Sequence, residues 1–105
     1  MNQILLVEDD KRIQEVIKNY FTDQAGAELD LTIAGDGNKA LELLFENAYD
    51  LVLLDVMLPG VDGFEICKEI RRNQEIPIIF LTARGREEDL LYGYDIGCDD
   101  YIVKP

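Results

Sequence analysis

Apolar residues follow two rhythms along this chain. Ile4-Leu5-Leu6-Val7, Leu51-Val52-Leu53-Leu54, Ile78-Ile79-Phe80-Leu81 and Tyr101-Ile102-Val103 are short unbroken runs, the pattern of strands buried on both faces. Leu29-Asp30-Leu31-Thr32-Ile33-Ala34 alternates instead, which predicts a half-exposed strand at a sheet edge. Between the strands the spacing turns helical. Ile13, Val16, Ile17, Tyr20 and Phe21 predict a first helix ending near Gly26, and Ala40, Leu41, Leu44 and Phe45 an inner face on a second. Phe64, Cys67 and Ile70 mark a third helix, closed by Arg71-Arg72, whose charges suit a helix C-terminus. Glu87-Glu88-Asp89 opens a fourth, carrying Leu90, Leu91 and Tyr94. Strand and helix alternating through short loops, with no repeat or linker, predict one α/β domain over residues 1–105 with a doubly wound five-stranded parallel sheet. The rhythm calls for a fifth helix after the fifth strand, but the sequence stops at Pro105. Apolar side chains of the last two strands are therefore expected to lie uncovered on the face they share with the first helix, a surface suited to self-association.

Composition narrows the partners. The 105 residues are 48% apolar, enough for one core. The net charge of −12, from 22 acidic and 10 basic residues, repels nucleic acid and anionic membranes and favours cations and basic protein surfaces. No apolar stretch approaches the ~20 residues of a membrane span. Met1-Asn2-Gln3 leads straight into a strand, so no signal peptide is expected. Cys67 and Cys98, without CxxC spacing and without any histidine, argue against structural zinc and for reduced, partly buried thiols of a cytoplasmic protein.

The chemistry sits where the strands end. The first run leads into Glu8-Asp9, the third into Asp55, the fourth into Thr82 and the fifth into Lys104. In open α/β sheets ligands bind beyond the carboxyl ends of the strands. Three carboxylates on one rim repel one another unless a cation intervenes, and Mg²⁺ is suited to one or two carboxylates plus water and phosphate oxygens. A carboxylate can also act as a nucleophile that forms an aspartyl phosphate. A metal, an ammonium and a hydroxyl together suit a transferring phosphoryl group, whose charge spreads over three oxygens.

Val7-Glu8-Asp9-Asp10, the stretch from Leu53 to Gly63, Leu81-Thr82-Ala83-Arg84 and Asp100-Tyr101-Ile102-Val103-Lys104-Pro105 together resemble the receiver domain of two-component response regulators, in order and spacing over the whole chain. The resemblance implies a flavodoxin-like fold with strand order 2-1-3-4-5, a sensor histidine kinase as phosphodonor and Mg²⁺ as cofactor. It casts Asp55 as phosphoacceptor, with Glu8, Asp9, Asp55 and the backbone carbonyl of Met57 as metal ligands. Thr82 resembles the switch hydroxyl, Tyr101 the switch aromatic and Lys104 the phosphate-sensing lysine. The final nine residues look most like the subfamily that carries a winged-helix DNA-binding output domain, which this sequence does not include.

Plainer roles remain for several of these residues. Asp10 and Asp36 read as helix caps, Cys67 as core, and Thr82 or Lys104 taken alone as a cap and a surface lysine. Gly35-Asp36-Gly37-Asn38-Lys39-Ala40 fits a dinucleotide-binding fingerprint formally. That reading places a carboxylate in the turn meant for a pyrophosphate and leaves Glu8, Asp9, Thr82 and Lys104 idle. A phosphatase with an aspartyl intermediate would resemble enzymes carrying a second aspartate two residues after the nucleophile, where this chain has Met57.

Overall fold

A computed structural model describes residues 2–25, 29–83 and 87–104. Gly26, the expected end of the first helix, as well as Arg84 and Pro105 of the resembling motifs, lie outside the described residues. Strands β1 (Asn2–Val7), β2 (Leu29–Ala34), β3 (Leu51–Asp55), β4 (Ile78–Thr82) and β5 (Asp100–Val103) alternate with helices α1 (Lys11–Ala25), α2 (Gly37–Glu46), α3 (Gly63–Asn73) and α4 (Glu87–Ile96). All ladders are parallel, in the order β2-β1-β3-β4-β5. The order reverses between β1 and β3, which opens a crevice beyond their carboxyl ends.

Alternation along each strand splits the core into two layers. Leu5, Val7, Val52, Leu54, Ile78 and Phe80 face α2, α3 and α4, packing with Ala40, Leu44, Ile66, Cys67 and Ile70. Ile4, Leu6, Leu53 and Leu81 face the other way, against Ile17 and Phe21 of α1. On that second face an apolar groove of about 360 Å³ stays open beside α1, lined by Val16, Tyr20, Leu53, Ile79, Leu81 and Ile102 among others.

The helix ends follow local chemistry. Asp10 accepts from the Arg12 amide at 2.8 Å and starts α1, and Asp36 and Asp62 accept from Lys39 and Glu65 amides at 2.8 and 3.0 Å to start α2 and α3. At the end of α4 the Cys98 amide donates to Gly93 O and the Gly97 amide to Tyr94 O, at 3.0 and 3.2 Å. Gly97 completes this Schellman ending at φ 112°. Arg71 then ties the turn down, donating to Ile76 O, Gly97 O and Asp99 Oδ2 at 2.6, 2.8 and 2.9 Å.

Two expectations need correction. Phe45 does not face inward with Ala40 and Leu44; it is 93% exposed, one helical step too far round α2. The fifth strand is not buried on both faces: Ile102 and Val103 are 47% and 60% exposed at a sheet edge, while only Tyr101 packs inward, against α4. Among the described residues no helix is long and apolar enough to cross a membrane.

Candidate functional site

The first β-strand continues its alternation into Glu8, and the third into Asp55. Both carboxylates therefore turn to the α1 side of the sheet, at its carboxyl edge. Glu8 is wholly buried and Asp55 only 2% exposed, while Asp9 beside them is open to solvent. One oxygen from each of Glu8, Asp9 and Asp55 falls within 4.8 Å of the others. Lys104, just past the carboxyl end of β5, reaches in along the same edge from two strands beyond β3. Its Nζ stands 2.8 Å from Glu8 Oε1 and 2.9 Å from Asp55 Oδ2.

The backbone around each acid is held. Glu8 Oε2 accepts from the Asp10 amide at 3.0 Å, and the Gln14 side chain of α1 donates to the Glu8 carbonyl at 2.7 Å. Asp55 Oδ1 accepts from the Met57 amide at 3.1 Å, closing an Asx turn that points the carboxylate back over the strand end. Gly63 lets α3 seat directly on this turn: a side chain there would strike the Asp55 carbonyl, and the Gly63 amide donates to Val56 O at 3.0 Å. The carboxyl end of β3 is thus fixed from both sides.

Electrostatics explain what the cluster lacks. Burial raises the pKa of Glu8 above the ordinary 4.5; the Lys104 and Asp10 hydrogen bonds oppose this only in part, and the charge of Asp55 adds to the rise. Burial pulls Lys104 down, but its two carboxylate partners outweigh that and leave its pKa above 10.5. Lys104 therefore carries its charge at neutral pH and is the resident counter-ion. One ammonium faces two buried carboxylates and an exposed third. Glu8 Oε1 has no hydrogen-bond partner of good geometry beyond that ion pair. A buried carboxylate oxygen left short of partners, in an all-oxygen set with one solvent-facing member, fits a hard divalent cation that keeps part of its water.

The other residues singled out from the sequence sit nearby in two places. Thr82 ends β4, half-buried, and its carbonyl accepts from the Lys104 amide at 2.7 Å, so these two are joined through the backbone. Tyr101 belongs to the opposite layer, half-buried, with its ring 5.4 Å from that of Phe80 and 5.5 Å from that of Tyr94. Met57 leaves its side chain 79% exposed at the mouth of the cluster. The formal dinucleotide fingerprint falls elsewhere: Asp36 is occupied as the cap of α2, after edge strand β2. Sequence reasoning missed Gln14 and Gly63 as supports of the site. The glycine after the Asp62 cap was the available signal for close approach; for Gln14, a polar residue on a helix start, there was none.

Residues 4–105 match the family described as the response regulator receiver domain. The chain is 46% identical over 105 residues to the transcriptional regulatory protein AfsQ1 of Streptomyces coelicolor, covering all of this chain and 45% of that protein. It spans, then, about half the length of that curated relative. Among solved structures, a Francisella response regulator 1452 receiver domain is 37% identical with a TM-score of 0.90, over 100% of this chain and 85% of that one. Response regulator TrrA of Thermotoga maritima, solved in complex with Mg²⁺-BeF, is 34% identical with a TM-score of 0.86, over 100% of this chain and 88% of that one.

Proposed function

Because this chain belongs to the response regulator receiver domain family, we propose that it is a phosphorylation-activated switch whose acceptor is Asp55. The observation that carries the reading is the buried pair Asp55 and Glu8 bridged by Lys104 at the carboxyl edge of the sheet, with Asp9 open beside it. An Asp55 oxygen attacks the phosphorus of a phosphohistidine presented by a sensor histidine kinase; the new O–P bond forms as the P–N bond breaks and the imidazole leaves. Mg²⁺ held by Glu8, Asp9, Asp55 and the Met57 carbonyl would neutralise charge on the phosphoryl oxygens. Lys104 already contacts Asp55 and turns its ammonium to a phosphoryl oxygen once the carboxylate is esterified. Its counter-ion role is then kept while its partner changes.

Phosphorylation adds about −1.5 to −2 charge and three strong acceptors at this rim. Thr82 donates its hydroxyl to one of them, and Tyr101 takes a second conformation in the space that Thr82 leaves. The surface of α4 and β5 changes with it, a population shift between two states. In a cytoplasmic protein such a surface controls an output domain, here of the winged-helix, transcription-regulating kind. The chain catalyses its own phosphorylation and dephosphorylation and no other turnover. Self-association through the apolar groove beside α1 belongs to the same reading, and sedimentation showing a monomer at all concentrations would remove it.

A radiolabelled phosphodonor tests the proposal against its rivals. Stable label on the wild-type chain supports the switch, steady release of phosphate supports a phosphatase, and absence of label in the presence of Mg²⁺ rejects both.

A further inference from the structure

Gly93 is buried in the last turn of α4. Its backbone makes no demand for glycine: among the described glycines only Gly60 and Gly97 have positive φ. Its carbonyl closes the Schellman ending of α4, a task open to any residue. Alanine would also favour the helix more. The demand comes from across the α4–β5 contact. A methyl group at this position would fall on the hydroxyl of Tyr101 and stand 2.8 Å from its Cζ and 3.1 Å from its Cε2. The Tyr101 ring thus lies in a slot with Phe80 on one side, Tyr94 on another and the bare Cα of Gly93 beneath. Phe80 and Tyr94 are side chains that can adjust; the Gly93 floor is helix backbone and cannot.

We propose that Gly93 is a positioning residue for Tyr101. Its missing side chain holds open the place the ring occupies while Lys104 is paired with Asp55, and filling that place expels the ring and biases the chain toward its phosphorylated-state surface. The inference rests on the reading of Tyr101 as the switch aromatic. Interiors packed to this density do not deform smoothly, so a clash with the end of one side chain is relieved by moving that side chain. A change that disfavours one of two conformers raises affinity for whatever binds the other.

The test is Gly93→Ala, with fluorotyrosine at the five tyrosines and the Tyr101 resonance assigned by its loss in Tyr101→Phe. Two quantities are read: the displacement of that resonance, and the affinity for beryllofluoride in the presence of Mg²⁺. The Tyr101 signal is expected to shift more than the other four, and beryllofluoride affinity to rise roughly fivefold or more. In a Tyr101→Ala background the same glycine substitution is expected to leave affinity unchanged, which a merely structural effect on α4 would not do. A folded Gly93→Ala chain with an unmoved Tyr101 signal overturns the proposal at its packing step. A displaced ring with unchanged affinity overturns it at the other step, the reading of Tyr101 as a switch. Should Gly93→Ala fail to fold, the double variant decides: folding restored by Tyr101→Ala supports the steric link, and folding not restored refutes it.

Discussion

Lys104→Met removes the only ammonium of the acidic cluster among the described residues while keeping a stem of similar length beside the α1 groove. In the wild type that ammonium lies 2.8 and 2.9 Å from carboxylates of residues with 0% and 2% exposure, and its own side chain is 17% exposed. Unit charges 4 Å apart interact by about 4 kcal/mol at an effective dielectric of 20. Two such contacts exceed what is lost, because desolvation offsets much of the gain and Glu8 can take up a proton once its partner is gone. Breaking a buried ion pair by removing one member costs about 3–5 kcal/mol. Relief through Glu8 puts this case near the lower end, ~3 kcal/mol at neutral pH without metal. Two further signs follow. Because the pKa of Lys104 is raised, its contribution in the wild type is complete below 10.5 and is lost as pH climbs past its raised value. Because that of Glu8 is also raised, the folded state holds a proton more firmly than the unfolded one, and stability falls as pH rises from 4.5 through the raised value. That fall steepens in Lys104→Met, so the variant's deficit shrinks in mild acid. Mg²⁺ should then stabilise the variant more than the wild type, since it no longer competes with a resident ammonium; a ligand at a hundred times its Kd adds about 2.7 kcal/mol. Urea unfolding at several pH values, with chelator and with Mg²⁺, measures all of this. A metal-free variant as stable as the wild type, or equal Mg²⁺ stabilisation of both, refutes the account of Lys104 as counter-ion.

Asp9→Ala should abolish Mg²⁺-dependent labelling and leave the fold intact, because Asp9 is the exposed one of the three clustered carboxylates; circular dichroism and labelling measured together decide it. Met57→Asn should shorten the lifetime of the phosphorylated chain, since an amide at this exposed position can orient a water that a thioether cannot; slower phosphate loss in the variant would contradict this. Cys98, 7% exposed, has its pKa pushed by burial from 9.0 to about 11. Its alkylation near pH 8 should be roughly a hundredfold slower than in urea, and stability should decline as pH rises from 9.0 toward 11; equal alkylation rates in the two conditions would refute the burial argument.

The strand ends were legible because unbroken apolar runs stop abruptly at charged or hydroxyl residues, and a parallel sheet gathers such ends on one edge. That logic located Glu8, Asp9, Asp55, Thr82 and Lys104. It could not tell which side of the sheet each would take, and so could not foresee Lys104 bridging Glu8 and Asp55 while Tyr101 joined the other layer. Periodicity on α2 overreached at Phe45, since a stripe one residue too wide is still helical in spacing. The exposure of Ile102 and Val103 depends on what lies across β5, which no local pattern encodes. Gly93 was invisible for a similar reason: the need for glycine arises from a tyrosine on the neighbouring strand, not from its own helix.

The central claim is that Asp55 accepts the phosphoryl group. Intact-mass measurement of the chain and of Asp55→Asn, each incubated with acetyl phosphate and Mg²⁺, tests it most directly. The account predicts that the wild type gains the mass of one phosphoryl group, that chelator prevents the gain, and that Asp55→Asn gains nothing. Equal phosphorylation of Asp55→Asn, or none of the wild type with Mg²⁺ present, would contradict it.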